Sequence, residues 1–89
     1  MQILYFYVTT CTTCIVQKTV LDRISEEYSS VEVTRVDVDC EFDYVKKYSP
    51  TDAPELVFLK EGKEVDRLKG FQHKDSIEEV LNKFKNNKV

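Results

Sequence analysis

The chain opens on an unbroken apolar run, Ile3-Leu4-Tyr5-Phe6-Tyr7-Val8. A strand of that kind needs cover on both faces, as a central strand of an α/β sheet does. Thr9 and Thr10 supply a turn, and the period then changes. Val16, Val20, Leu21, Ile24 and Tyr28 recur at three- and four-residue steps, which predicts an amphipathic helix with Asp22, Arg23, Ser25, Glu26 and Glu27 on its wet side. Val31 to Val38 reads as a second strand. A short helix is predicted over Phe42 to Tyr48, ended by Ser49-Pro50 because the residue before proline avoids the helical region. Leu56-Val57-Phe58-Leu59 is a buried strand, Glu61-Gly62-Lys63 a hairpin turn, and Val65 to Leu68 its partner strand. Gly70 breaks that strand. Ile77, Val80, Leu81 and Phe84 mark a last helix from Lys74 onward, and the Asn86-Asn87-Lys88 tail is expected to fray.

The predicted order is β-α-β-α-β-β-α, an α/β fold in a single domain spanning residues 1–89. At 42% hydrophobic and 33% charged, with two glycines and two prolines, the composition is globular and excludes collagen-like or low-complexity classes. Thirteen basic residues against 16 acidic ones (net charge −3) leave no electrostatic footprint for nucleic acid. The six-residue apolar start is too short for a membrane span of about 20 residues, and it lacks the flanks of a signal peptide. A cytoplasmic protein without nucleic-acid or membrane partners is the expectation. Three cysteines are too few, and odd in number, for a disulfide-stapled secreted scaffold.

Two of those cysteines carry the candidate chemistry. Cys11-Thr12-Thr13-Cys14 falls where the first strand gives way to the first helix. Unpaired N–H groups and the macrodipole at a helix N-terminus favour negative charge, so a thiolate at Cys11 would be stabilised there. Cysteines so placed drop from about 8.5 to between about 3.5 and 7.5. Cys14, one turn on, is positioned to close a small disulfide ring. A C-x-x-C pair alone also suits zinc or iron–sulfur sites, but those want a second pair, and only Cys40 and His73 remain as soft ligands. No metal or cofactor is expected.

From these residues onward the chain resembles the thioredoxin superfamily over nearly its whole length. Leu21 to Tyr28 is similar to the family's helix after the active site, and Val36-Asp37-Val38-Asp39 to its next strand. Ala53-Pro54-Glu55-Leu56-Val57-Phe58-Leu59-Lys60-Glu61-Gly62-Lys63-Glu64 resembles the segment with the family's cis-proline, strand and hairpin. The spacings agree: 40 positions from Cys14 to Pro54, and 16 from Pro54 to Gly70, the place of the family's loop glycine. The resemblance implies a four-stranded mixed sheet in order 2-1-3-4 with strand 3 antiparallel, flanked by helices. It also implies a thiol–disulfide oxidoreductase in which Cys11 attacks a substrate disulfide and Cys14 resolves the mixed disulfide. Thr10, Thr12, Thr13, Ala53, Pro54 and Gly70 would border the substrate, with Ala53–Pro54 as the cis bond. Pro50, in Ser49-Pro50-Thr51, competes for that place, and Pro54 is preferred because it alone directly precedes the apolar strand. The implied partners are disulfide-containing proteins and a thioredoxin-reductase-like or glutathione-linked reductant, acting on a monomer.

Several positions depart from the family pattern. Thr10, Thr12-Thr13 and Ile15 stand where tryptophan, Gly-Pro and lysine are usual, and Tyr5 replaces a buried aspartate that moves the resolving thiol's proton. Arg35 takes the place of that acid's lysine partner. With ten residues ahead of Cys11, no counterpart of the family's extra N-terminal strand and helix is expected, a layout similar to that of glutaredoxins and small redoxins. The Pro-Tyr dipeptide and Thr-Val-Pro signature of glutaredoxins are absent too, which leaves a minimal thioredoxin-like protein of the kind bacteria and bacteriophages encode. A non-catalytic binding module of the same fold stands as the alternative, ahead of a metal or iron–sulfur protein. Asp52 and Glu55, flanking Pro54, are expected to raise a nearby thiol's pKa, although either could stand in for the lost acid. Cys40 reads as a bystander at the active-site edge, His73 as a capping or solvated residue, and Tyr5, Phe6, Tyr7 and Phe58 as core.

Overall fold

A computed structural model of the chain describes residues 1–84; the Asn86-Asn87-Lys88 tail lies outside the described residues. The elements run β1 (Gln2–Tyr7), α1 (Thr12–Glu27), β2 (Glu32–Asp37), α2 (Phe42–Tyr48), β3 (Glu55–Lys60), β4 (Lys63–Lys69) and α3 (Lys74–Lys83). They build one sheet in the order β2-β1-β3-β4. β1 pairs parallel with β2, while β3 runs antiparallel to both β1 and β4. Order and directions match the expected thioredoxin-type sheet, and each strand's ends shift by a residue or two from the sequence reading.

The two innermost strands are the ones without a polar break, because each has a strand on either side and cover on both faces. Ile3, Tyr5, Leu56 and Phe58 point toward α1 and α3, where they meet Leu21, Ile24, Ile77, Val80 and Leu81. Leu4, Phe6, Val57 and Leu59 point the other way and join Val36. On that second face α2 contributes half-buried Tyr48, whose ring lies 6.2 Å from that of Phe6. α2 itself buries no residue fully, and Ser49 closes it at φ 48° with its N–H on the Val45 carbonyl. Left-handed backbone recurs at the β3–β4 turn, where Glu61 (φ 55°) and Gly62 (φ 80°) give the two-residue hairpin geometry that matches strand twist.

One helical stripe differs from the expectation. Val16 is 50% exposed, and the buried face of α1 is Cys14, Gln17, Leu21 and Ile24. Gln17 takes the core position because its amide is satisfied at both ends: Nε2 donates to the Gln72 carbonyl at 3.0 Å, and Oε1 accepts the Gln72 N–H at 2.7 Å. A buried amide so bonded costs little, whereas an unbonded one would cost about 1–3 kcal/mol. Among the described residues no helix is long and apolar enough to cross a membrane.

Candidate active site

β1 stops at Tyr7, and a short loop carries the chain to α1, tied by a 3.3 Å bond from the Cys11 N–H to the Val8 carbonyl. Cys11 is the N-cap of α1 in extended conformation, and its sulfur does the capping: Sγ accepts the Cys14 N–H at 3.1 Å. The Thr13 hydroxyl lies 3.2 Å from the same sulfur. Thr13 is therefore the threonine that reaches Cys11, while Thr10 and Thr12 are exposed beside it. The first turn of α1 holds no acidic residue to oppose a negative sulfur.

The two thiols are driven apart. Burial acts upward on Cys11 but is outweighed by hydrogen bonds from the Cys14 thiol, the Thr13 hydroxyl and the N–H groups of Cys14 and Thr13, so its pKa falls below the usual range. Cys14 is only 3% exposed, and burial, followed by its hydrogen bond with Cys11, pushes it up to about 11. Both are free thiols, as is exposed Cys40. The Asp37 carboxylate next to Cys40 raises that third thiol, which suits a bystander. With excess iodoacetamide at neutral pH, Cys11 is expected to be alkylated first, ahead of Cys40 and Cys14, as read by peptide mass. Labelling of Cys40 before Cys11 would contradict this order.

Tyr5 lies beneath the motif. Its hydroxyl donates to the Cys14 carbonyl, and its ring stacks on Tyr7 with centroids 5.3 Å apart. A cavity of about 250 Å³ between Tyr5, Tyr7, Val8, Ile15 and the two cysteines opens beside the sulfurs. A larger one, about 420 Å³, lies against Met1, Tyr28, Lys60 and Phe84. No cysteine lines it, so cysteine chemistry and not cavity size points to the candidate site. Arg35 sits opposite Tyr5 in the β1–β2 register and is exposed.

The antiparallel register sets Glu55 beside Phe6, so the residues just before β3 lie at the same sheet end as Cys11. The Ala53–Pro54 bond is cis, and the Pro54 carbonyl accepts the Gly70 N–H at 2.8 Å. Gly70 has φ 81°, and a Cβ there would meet nothing within 4 Å, so backbone conformation and not space calls for glycine. Ala53 is exposed and lines a cleft with Val8 and Pro50.

Glu55 does not act as a charge aimed at the thiols. It is fully buried; its Oε1 accepts the N–H groups of Thr51 (2.8 Å) and Asp52 (3.0 Å), and its Oε2 accepts from Arg67 Nη1 at 2.9 Å. Neither Glu55 nor Asp52 is among the main causes of the thiol shifts. His73 caps α3 by position, without a side-chain cap bond, and meets the Phe71 ring edge-on at 5.0 Å. No sequence pattern marks the bonding roles of Tyr5 and Glu55, and the only signal of Gln17 is a polar residue three positions past Cys14, on the face of Leu21.

Comparison with known proteins agrees with this geometry. The thioredoxin family model matches residues 1–83. A thioredoxin of Chlamydia caviae is 34% identical over 77 residues, covering 86% of this chain and 76% of that one. One from Staphylococcus aureus is 32% identical over 83 residues, covering 92% and 80%. The X-ray structure of Fasciola hepatica thioredoxin superposes with a TM-score of 0.87 at 32% identity, over 94% of this chain and 80% of that one. The family's model runs from β1 to the end of α3 with the C-x-x-C pair at the strand–helix junction, and the chain belongs to the thioredoxin family, as a thioredoxin-like disulfide oxidoreductase.

Proposed function

We propose that this chain, within the family's thiol–disulfide oxidoreductase activity, is a reductant of protein disulfides that works through Cys11 and Cys14. The observation that carries the reading is the Cys11 sulfur at the N-cap of α1, accepting the Cys14 N–H and meeting the Thr13 hydroxyl. A thiolate there is solvated by fixed dipoles and is half-exposed, so a client disulfide can reach it. Cys11 S⁻ attacks one client sulfur, and the other leaves as a thiolate and takes up a proton. Cys14 then loses its proton and attacks Cys11 Sγ. The Cys11–Cys14 bond forms as the Cys11–client bond breaks, so the client gains two electrons from the pair, one proton from Cys14 and one from solvent, the last matching the proton Cys11 lost on ionising.

Ala53, with Thr10, Thr12, Thr13, Pro54 and Gly70 around it, would border the client. Ala53 is exposed and offers backbone groups for strand-like pairing. A thioredoxin-reductase-like or glutathione-linked donor would restore the dithiol. The working unit would be a cytoplasmic monomer formed by one domain over residues 1–89.

Trapping and the reduction potential test this reading together. Cys14→Ser is expected to accumulate a mixed disulfide between Cys11 and a client protein, seen as an adduct that dithiothreitol releases. Equilibration with defined thiol buffers should place the pair near about −270 mV, the figure known for thioredoxin itself. A potential between about −120 and −200 mV would make the protein an oxidant, an isomerase or a glutaredoxin-like partner instead.

A further inference from the structure

We infer that Tyr5 is a positioning residue for the resolving cysteine: its buried hydroxyl holds the first turn of α1 by the Cys14 carbonyl and serves as the hydrogen-bond donor that meets the Cys14 sulfur as it turns to thiolate. This rests on the proposed roles of Cys11 and Cys14 and adds how the second step is assisted.

Three observations converge on Tyr5. It is 2% exposed, packed under α1 with its ring stacked on Tyr7. Its hydroxyl donates to the Cys14 carbonyl, which fixes the oxygen at the turn that presents the Cys14 thiol. Tyr5 and Cys14 also line the same cavity, and the phenol beside the thiol acts to lower it against burial. A buried phenol beside two sulfurs holds its own proton tightly: burial first, then negative charge on Cys14 and Cys11, raise its pKa. It therefore enters the step as a donor and leaves it unchanged. The nearest buried carboxylate, Glu55, has both oxygens bound to Thr51, Asp52 and Arg67 and is unavailable as a base. The other charged or titratable groups around this cavity are Lys18, paired with Asp22 at 3.1 Å, and Tyr7; Arg35 is the cross-strand neighbour on β2.

In the step itself, the Cys14 S–H proton is lost, Cys14 Sγ bonds to Cys11 Sγ, and the client sulfur departs with the electron pair of the broken Cys11–client bond. The Cys14 proton ends on that departing sulfur. The Tyr5 O–H turns from the Cys14 carbonyl to Cys14 Sγ and gives up no proton.

Tyr5→Phe removes the oxygen and keeps the ring. Stopped-flow with a disulfide-bonded client should show capture by Cys11 within about twofold of wild type, while release of the client slows about tenfold and the mixed disulfide becomes visible, since one lost hydrogen bond to a charged group is worth about a factor of ten or more. The pH at which release is half-maximal should also move upward, a readout that a packing role would leave in place. Release at the wild-type rate and pH midpoint would overturn the inference while leaving the Cys11 and Cys14 roles intact; failure of Cys14→Ser to capture any client would instead remove the reading beneath it. Should Tyr5→Phe not fold, fluorotyrosine incorporated site-specifically at Tyr5 decides the matter. A more acidic donor speeds release if the hydroxyl donates and slows it if the hydroxyl acts as a base.

Discussion

Replacing the proposed nucleophile, Cys11→Ser, is expected to bring disulfide reduction down to the uncatalysed background, the largest functional effect expected of any single change in this chain. Loss of an enzyme nucleophile costs up to about 10⁶-fold where the background permits so large a range. The environment that makes Cys11 reactive does little for serine. The Cys14 N–H and Thr13 hydroxyl stabilise a negative sulfur, but a hydroxyl remains protonated at any assay pH, so there is no anion for them to stabilise. Cys40→Ser is the matched control and should retain full turnover, since its thiol is held protonated beside Asp37. Wild-type capture should follow the fraction of Cys11 thiolate. Because the Cys11 pKa is depressed, capture persists as pH falls to values where an ordinary thiol, with a pKa of about 8.5, has already lost most of its thiolate. Capture fades only as pH crosses the depressed value. Turnover by Cys11→Ser at the wild-type level would remove Cys11 as nucleophile.

Those two cysteines were legible in the sequence because strand-to-helix placement is itself a pattern: an unbroken apolar run, a threonine turn, and then a helical period. The sheet order was legible through resemblance and strand periodicity together. What escaped reading has a common physical form, namely polar side chains whose partners are distant in the chain. Hydropathy ranks Val16 above Gln17 for the buried face of α1, and nothing local reveals that Gln72, 55 positions away, meets both ends of the Gln17 amide. Glu55 looks like a loose flanking charge in the sequence for a related reason. The β3–β4 ladder pairs Leu59 with Glu64 but Phe58 with Asp66, so a bulge takes up Val65. Without that bulge, Arg67 would stand opposite Leu56 and face α1. With it, Arg67 stands opposite Val57 and turns to the face that Glu55 shares. No pattern in the sequence marks the bulge, so the ion pair could not be foreseen.

The pair that the bulge creates supports the second large expectation: Glu55→Ala should destabilise the fold by about 2–4 kcal/mol, from the loss of charged hydrogen bonds and of one member of a buried ion pair. The carboxylate is fully buried and joins three segments: the Thr51-Asp52 turn, the start of β3 and the middle of β4. Removing it leaves two backbone N–H groups to water and breaks one of the Arg67 contacts. The cost stays below that of an orphaned buried charge, because the Arg67 side chain is 21% exposed and keeps both bonds to Glu64 at 2.8 Å. At about 4–8 °C per kcal/mol for a domain this small, Tm should fall by about 10–30 °C, with a matching drop in the urea midpoint. Glu55→Gln preserves volume and an acceptor for Thr51 and Asp52 but loses the charge facing Arg67, so it should cost roughly half as much. Equal midpoints for Glu55→Ala and wild type would show that the clamp contributes nothing to stability. A loss in Glu55→Gln as large as in Glu55→Ala would assign the whole effect to the ion pair with Arg67. The expected graded series assigns it to both, with the two N–H bonds holding the turn that leads into Ala53 and Pro54.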